Sequence, residues 1–364
     1  MEKIKQLSIP SNARIIVTSD IHGEIDLLKS LLKKVNFNEH DHLIINGDLC
    51  EKGSNSKEVI RYVMELTKSN PQVHVTEGNC EALIEELMNE NPKLINYLCA
   101  RKHSVFNEWL AEQNYTVHED ASIQQVKEII ISNYAEEIKW LTALPTAIEL
   151  DQYIVVHAGL EKLNNWQETE RETALTIPSF LEKEHLSDKY VIVGHWPVVN
   201  YAVDLPCHNP IIDHKKKVIS IDGGNVIKSD GQLNAFIIER LEGEDRFTHT
   251  YVDYLPIRKV REDFMADPEM VGTISYPNFE VTPMEKRQHF TLCKYENYNH
   301  IIYVKNEYLY KNDAGIDMVS GGISCSQLSV NKGDTVSVFD ATCSGYTLVK
   351  KDGVVGWIAS DILE

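Results

Sequence analysis

The sequence predicts a layered α/β domain followed by a smaller all-β domain. Short β-branched runs alternate with helix-patterned segments as far as residue 240. From about Ile274 onward, only short strands with Gly or Asn turns follow. A length of 364 residues suits one large domain with a smaller companion. Polar residues able to bind metal recur at the ends of the apolar runs, which makes the first domain the one with chemistry.

In chain order, the first apolar run is RIIVTSD (14–20). IDLLKSLLKKVNF follows, with Leu27, Leu28, Leu31, Leu32 and Val35 on one stripe at helical spacing. HLIINGD (42–48) and QVHVTEGN (72–79) are the next strands. Ala82 to Leu144 is mostly helix-patterned, with Ile84, Leu87, Leu94, Leu98, Trp109, Val126, Ile130 and Trp140 inward. It predicts a helical insertion at about 82–145, at one edge or over the site. YIVVHAG (153–159), YVIVGHWP (190–197), VISIDGG (218–224) and AFIIER (235–240) complete the strands. Several are apolar throughout, as strands are when both faces of a sheet are covered. Residues 243–273 are polar, weakly patterned and interrupted by Pro256, Pro268 and Gly272. The expected division is therefore a domain over 1–253, a linker over 254–273 and a β domain over 274–364.

The 36 Lys plus Arg against 55 Asp plus Glu leave a net charge of −19. That balance argues against nucleic acid or an anionic membrane as partner, since either needs a basic face. No run reaches the length of a membrane span, and MEKIKQLSIPSNARIIV has no secretory apolar region. Seven Cys without a CxxC pair read as reduced thiols, so a cytoplasmic location is expected.

Asp20 and His22 follow the first strand as SDIHGE, and Asp48 ends the second in NGDLCEKG. Asn79 ends the third in EGNCE; His157 and His195 end the next two in VVHAG and VGHWP. In an open α/β sheet, ligands bind beyond the carboxyl ends of the strands, so these residues converge on one edge. Alone, a Gly-Asp pair is a turn and a strand-end His is a hydrogen-bonded structural residue. Five such motifs in order are not explained by turn chemistry. Two carboxylates, three imidazoles and one amide form a mixed nitrogen–oxygen donor set. It suits Mn, Fe or Zn better than Ca or Mg. A shared Asp48 could hold two ions about 3.5–4 Å apart, as in-line displacement at phosphorus uses.

SDIHGE, GDLCEKG, GNCE, VVHAG and VGHWP together resemble the metal-binding motifs of calcineurin-like metallophosphoesterases, in their phosphoprotein-phosphatase branch. The resemblance spans about residues 14–240 and is similar to bacterial Ser/Thr phosphatases and diadenosine tetraphosphate hydrolases. It implies a four-layer αββα sandwich. It also implies that Asp20, His22 and Asp48 bind one divalent ion, with Asp48, Asn79, His157 and His195 binding a second. Mn is the first expectation for both, with Fe or Zn as alternatives. A metal-bridging hydroxide would attack a phosphomonoester of a phosphorylated protein. A nucleotide polyphosphate is the alternative substrate, and a catalytically weak pseudophosphatase acting as a binding module is a further one.

The chain departs from the family pattern at its catalytic positions. Cys80 stands where the family has the His that protonates the leaving oxygen, and Glu51 stands for the Asp that orients it. Lys52 replaces a phosphate-clamping Arg, keeping the charge but losing the bidentate fork. Arg171 is the candidate for a second phosphate-binding Arg. A Cys80 thiol has a proton to give but reaches less far than imidazole, and it could also bind a soft metal. Leaving groups that depart as stable anions should therefore be preferred.

LSVNKGDTVSVFDATCSGYTLVKKDGVVGWIASDIL resembles a Src-homology-3-like barrel, through its Lys-Gly-Asp and KKDG turns and Gly356-Trp357. Ala359 and Ile362 occupy positions where peptide-binding members carry Pro and an aromatic, which disfavours proline-rich ligands and leaves another protein contact as the expectation. Residues 274–364 carry 8 Lys plus Arg and 11 Asp plus Glu, so 16 of the 19 net negative charges lie on residues 1–273. A phosphate site there needs cations to reverse the local sign, and strong metal dependence follows.

Overall fold

The computed structural model describes residues 1, 3–295 and 300–364. They divide into two compact units: Met1–Pro197 with Pro210–Asp253, and Val198–Asn209 with Tyr254–Glu364.

The first unit begins with β1 (Ile4–Gln6), β2 (Arg14–Thr18), α1 (Ile25–Lys34), β3 (His42–Asn46), α2 (Ser56–Ser69) and β4 (Val73–Thr76). Five helices follow: α3 (Asn79–Met88), α4 (Lys93–Ala100), α5 (Val105–Glu112), α6 (Ile123–Asn133) and α7 (Ala135–Thr142). Then come β5 (Ala147–Glu149), β6 (Tyr153–Val156), α8 (Arg171–Thr176) and β7 (Tyr190–Val193). β8 (Ile211–Asp213), β9 (Val218–Ser220), β10 (Leu233–Glu239) and β11 (Arg246–Val252) complete it.

These strands form a six-stranded sheet, β1-β5-β6-β7-β9-β8, and a five-stranded sheet, β11-β10-β2-β3-β4. Side chains alternate across a strand, and both faces of each sheet are used. Ile15 and Val17 of β2 pack with Ile44, Val155, Ile192, Ile219 and Phe236, which joins the two sheets face to face. Ile16, Leu43 and Ile45 point the other way, into a core with α1, α2 and the helical insertion. On the far side, Ile154, Val156, Val191 and Val193 are covered by Trp166, Ala174 and Phe180. The layers thus run helix, sheet, sheet, helix.

The α1 stripe lies inward as its spacing requires, with Leu28 and Leu31 fully buried. β11 lies within the stretch read as polar and weakly patterned. It pairs with β10 over seven residue pairs at the edge of its sheet. An edge strand keeps one flank in solvent, so its alternation is weak.

In the second unit, β12 (Ile257–Lys259) and β13 (Thr273–Ile274) fall within the expected linker. The strands β14 (Thr282–Lys286), β15 (Phe290–Tyr295), β16 (His300–Lys305), β17 (Leu309–Lys311) and β18 (Asp317–Val319) come next. β19 (Ile323–Ser324), β20 (Thr335–Asp340), β21 (Tyr346–Lys351) and β22 (Val354–Ala359) close the chain. β12-β20-β21-β22 and β14-β15-β16 form its larger sheets. Asp352 and Gly353, both at positive φ, make the tight turn of the β21–β22 hairpin. Trp357 is fully buried, and its indole N–H donates to the Ser324 carbonyl at 2.8 Å. Among the described residues, no helix is long and apolar enough to cross a membrane, and all seven cysteines are free.

Candidate metal centre

β2, β3 and β4 run parallel, as do β6 and β7, so each set ends on one edge. Asp20 and Asp48 lie two residues beyond β2 and β3, Asn79 opens α3 after β4, and His157 and His195 follow β6 and β7. Asp20, His22, Asp48 and His195 all hold left-handed backbone, with φ of 54°, 49°, 50° and 64°. Such conformations cost about 1 kcal/mol or more each in residues with a Cβ and concentrate at functional sites. Two glycines let the carboxylates sit against backbone. A Cβ on Gly78 would lie 2.4 Å from Asp48 Oδ1, and one on Gly194 would lie 2.3 Å from Asp20 Oδ2.

The tautomers follow from the outer hydrogen bonds. His22 Nδ1 lies 3.3 Å from the Cys50 carbonyl, so it carries the proton and Nε2 is bare. That Nε2 lies 3.8 Å from Asp20 Oδ1 and 3.7 Å from Asp48 Oδ2. His157 Nδ1 likewise faces the Asn46 carbonyl at 3.0 Å; its Nε2 lies 3.1 Å from Asn79 Oδ1 and 3.5 Å from Asp48 Oδ1. His195 Nδ1 lies 2.8 Å from Asn79 Oδ1, and its backbone N–H donates to Asp20 Oδ2. The Cys80 N–H donates to Asp48 Oδ1 at 2.9 Å.

Burial and the Lys52 ammonium push His22 down to about 3; burial and His157 push His195 down to about 4. Both rings are therefore neutral at physiological pH and present a lone pair. Burial alone would raise Asp48, but His157, His22 and Lys52 together hold it below the usual carboxylate range. Burial raises Asp20.

Two donor groups have all their ligand atoms within 4.8 Å of one another: Asp20, Asp48 and His157, and His22, Asp48 and Cys80. Asp48 belongs to both. Burial alone would lower His157, but Asp48 and Asp20 raise it above the usual imidazole range, so its ring is held toward the protonated form beside them. The bare His22 nitrogen aimed at carboxylate oxygens repels them unless a cation lies between, and a cation does stand there: Lys52 Nζ is 3.3 Å from His22 Nε2 and 3.8 Å from Asp48 Oδ2. The residues present therefore fit divalent cations at this edge. Of the sequence-expected ligands, Asp20, His22, Asp48 and His157 fall in these groups and His195 falls in neither, while Cys80, expected as a proton donor, falls in one.

The other expected site residues are placed differently. Glu51 Oε1 accepts from Ser104 Oγ and Val105 N, and its Oε2 accepts from Tyr97 Oη at 2.7 Å. It ties the β3 loop to α4 and the start of α5 rather than orienting Cys80. Arg171 is bound to Glu77 through Nε at 2.8 Å and Nη2 at 2.5 Å, and to Glu85 through Nη1 at 2.9 Å. Its fork is spent on carboxylates.

Sequence reasoning left out Glu81. Its carboxylate accepts from Asp48 N and Gly78 N at 2.8 Å and from Leu49 N at 2.9 Å, fixing the loop that carries Asp48. The signal was available: an acidic residue three positions after Gly78, at the start of α3, is capping-box spacing. Asp222 is also buried at this edge, with Oδ1 accepting from Gly224 N.

A symmetrical bis(5'-nucleosyl)-tetraphosphatase of Vibrio parahaemolyticus is 28% identical over 193 residues, 52% of this chain and 58% of that protein. Shewanella-like protein phosphatase 1 of Plasmodium berghei is 27% identical over 168 residues, 43% of this chain and 41% of that protein. The chain spans less than two thirds of the length of these curated relatives. Among solved structures, a cold-active protein tyrosine phosphatase is 17% identical, with a TM-score of 0.44 over 68% of this chain and 80% of that one. The profile of the calcineurin-like phosphoesterase family matches residues 13–221, more than half of the chain, and the protein belongs to that family.

Proposed function

We propose that the protein is a metal-dependent hydrolase of phosphomonoesters, acting on phosphorylated protein. The observation that carries this reading is the convergence on Asp48, a member of both donor groups. Asp20, His22, Asp48, Asn79, His157 and His195 form the ligand set. Two divalent cations bound there would polarise the phosphoryl group and supply an activated water for in-line attack. Lys52, beside His22 and Asp48, offers a compact charge to a phosphate oxygen.

The leaving group matters more than usual here. Glu51 is committed to Tyr97, Ser104 and Val105, so no oriented acid stands at Cys80. An aryl phosphate such as phosphotyrosine departs without protonation, whereas an alkyl phosphate such as phosphoserine needs it. Beside Asn79 runs a cleft lined by Ala82, Leu83, Glu86, Glu172, Leu175 and Thr176. Its apolar wall and two carboxylates suit a neutral or aromatic side chain better than a polyphosphate. The names of the tetraphosphatase relatives favour a second reading, dinucleoside tetraphosphate hydrolysis, whose leaving group is also a stable anion.

We read the second unit as a protein-contact module related to Src-homology-3-like domains. Burial of Trp357 removes that ring from any peptide groove.

Assays with Mn, on p-nitrophenyl phosphate, phosphotyrosine and phosphoserine peptides and diadenosine tetraphosphate, test this proposal, with Asp48→Asn as blank. The expected order places both aryl esters well above phosphoserine and diadenosine tetraphosphate. Faster cleavage of the dinucleotide than of either aryl ester selects the second reading. No hydrolysis above the blank removes the enzymatic reading.

A further inference from the structure

We propose that Cys80 is a thiolate ligand of the metal centre, completing a His22–Asp48–Cys80 set, and not a proton donor. The inference rests on the metal-centre reading above and concerns this chain's own departure from the family pattern. The Cys80 Sγ, a His22 ring nitrogen and an Asp48 oxygen all lie within 4.8 Å of one another, and all three residues are buried. Donors about 2.0–2.3 Å from one tetrahedral ion are roughly 3.3–3.8 Å apart, so a small closure of these side chains suffices.

The backbone holds the thiol in register. The Cys80 N–H donates to Asp48 Oδ1, so one residue binds the shared carboxylate through its main chain and faces the same site with its sulfur. The Asn79 amide N–H donates to Sγ at 3.7 Å, a weak contact that a coordinated thiolate can keep. The acid that would orient a proton donor, Glu51, is bound elsewhere.

Coordination breaks the S–H bond and sends the proton to solvent, while the sulfur lone pair forms the bond to the ion. A thiolate beside imidazole and carboxylate shifts the preference of this position from Mn toward Zn or Fe. Only one of the two donor groups contains sulfur, so the two positions differ in selectivity.

Titration of the full chain with Co(II) tests the proposal by absorption. A Co–thiolate bond gives an intense near-ultraviolet charge-transfer band, whereas nitrogen and oxygen ligands give only weak visible bands. The expected result is a charge-transfer band in the wild type that persists in Cys99→Ser and is lost in Cys80→Ser, with Co still bound. Cys80→His, which keeps a ligand at that position, gives the same loss if the Ser variant does not fold. Visible bands without a charge-transfer band in the wild type overturn the thiolate proposal and leave the metal centre standing. Retention of the band in either Cys80 variant also overturns it. Failure of the wild type to bind Co(II) overturns both.

Discussion

Replacing Arg171 with Met separates a structural role from a phosphate-binding one. Its guanidinium makes two bonds to Glu77 and one to Glu85. The Glu77 side chain is 3% exposed and that of Arg171 is 28% exposed. Breaking a buried pair costs about 3–5 kcal/mol, while an exposed pair is worth about 0–1. The half-open Arg171 places this pair between those limits, at about 2–3 kcal/mol. In a unit of this size each kcal/mol moves Tm by about 2–4 °C, so the expected drop is about 4–12 °C. Calorimetric melting alongside kcat/KM on an aryl phosphate reads both quantities. The expected result is a lower Tm with KM changed less than about threefold. Glu77→Gln combined with Arg171→Met should recover part of the loss, because no uncompensated buried charge remains. An unchanged Tm with a tenfold higher KM would refute the structural assignment and restore Arg171 to the phosphate site.

Glu81→Gln places an amide donor against backbone N–H groups of the Asp48 loop. Metal affinity should fall about 10–100-fold, as for other outer partners of metal ligands, measured by competition with a chelating dye. Lys52→Met should raise KM about tenfold or more, with Lys52→Arg recovering most of it, because one charge-assisted contact is worth about 1.5–3 kcal/mol. His74, buried on β4 beside Lys5, is pushed down to about 4 by its burial, Lys5 and His42. Its neutral ring stabilises the fold fully above pH 6.5, and that contribution is lost as pH falls toward 4. Up to about 3 kcal/mol is at stake. His74→Asn should flatten urea-unfolding stability across that window; an unchanged slope refutes the assignment.

The strand-end cluster was legible because each proposed ligand sits directly after a run of buried β-branched residues. The α1 stripe was legible because five apolar residues at helical spacing admit one inward face. What could not be read is what depends on backbone placed by the fold. Glu81 acts on three main-chain N–H groups, two of them in the loop after β3. Glu51 meets Tyr97, Ser104 and Val105, far along the chain in the helical insertion. Arg171 looked free to bind phosphate because nothing local shows that α8 lies against Glu77 and Glu85. β11 was missed because an edge strand lacks a strong alternation. Cys80 was recognised as a departure, but the atoms it shares with His22 and Asp48 emerge only when β3 and α3 are brought together.

The central claim is a two-ion centre built around Asp48. Metal content per chain, measured after dialysis against a divalent cation for wild type and Asp48→Asn, tests it most directly. The account predicts two ions per wild-type chain, and phosphatase activity lost on chelation and regained on readdition. It predicts that Asp48→Asn weakens both sites, by more than the roughly 100-fold upper end seen for outer partners. An Asp48→Asn protein that retains two ions, or a wild type that hydrolyses phosphoesters at full rate after complete metal removal, would contradict it.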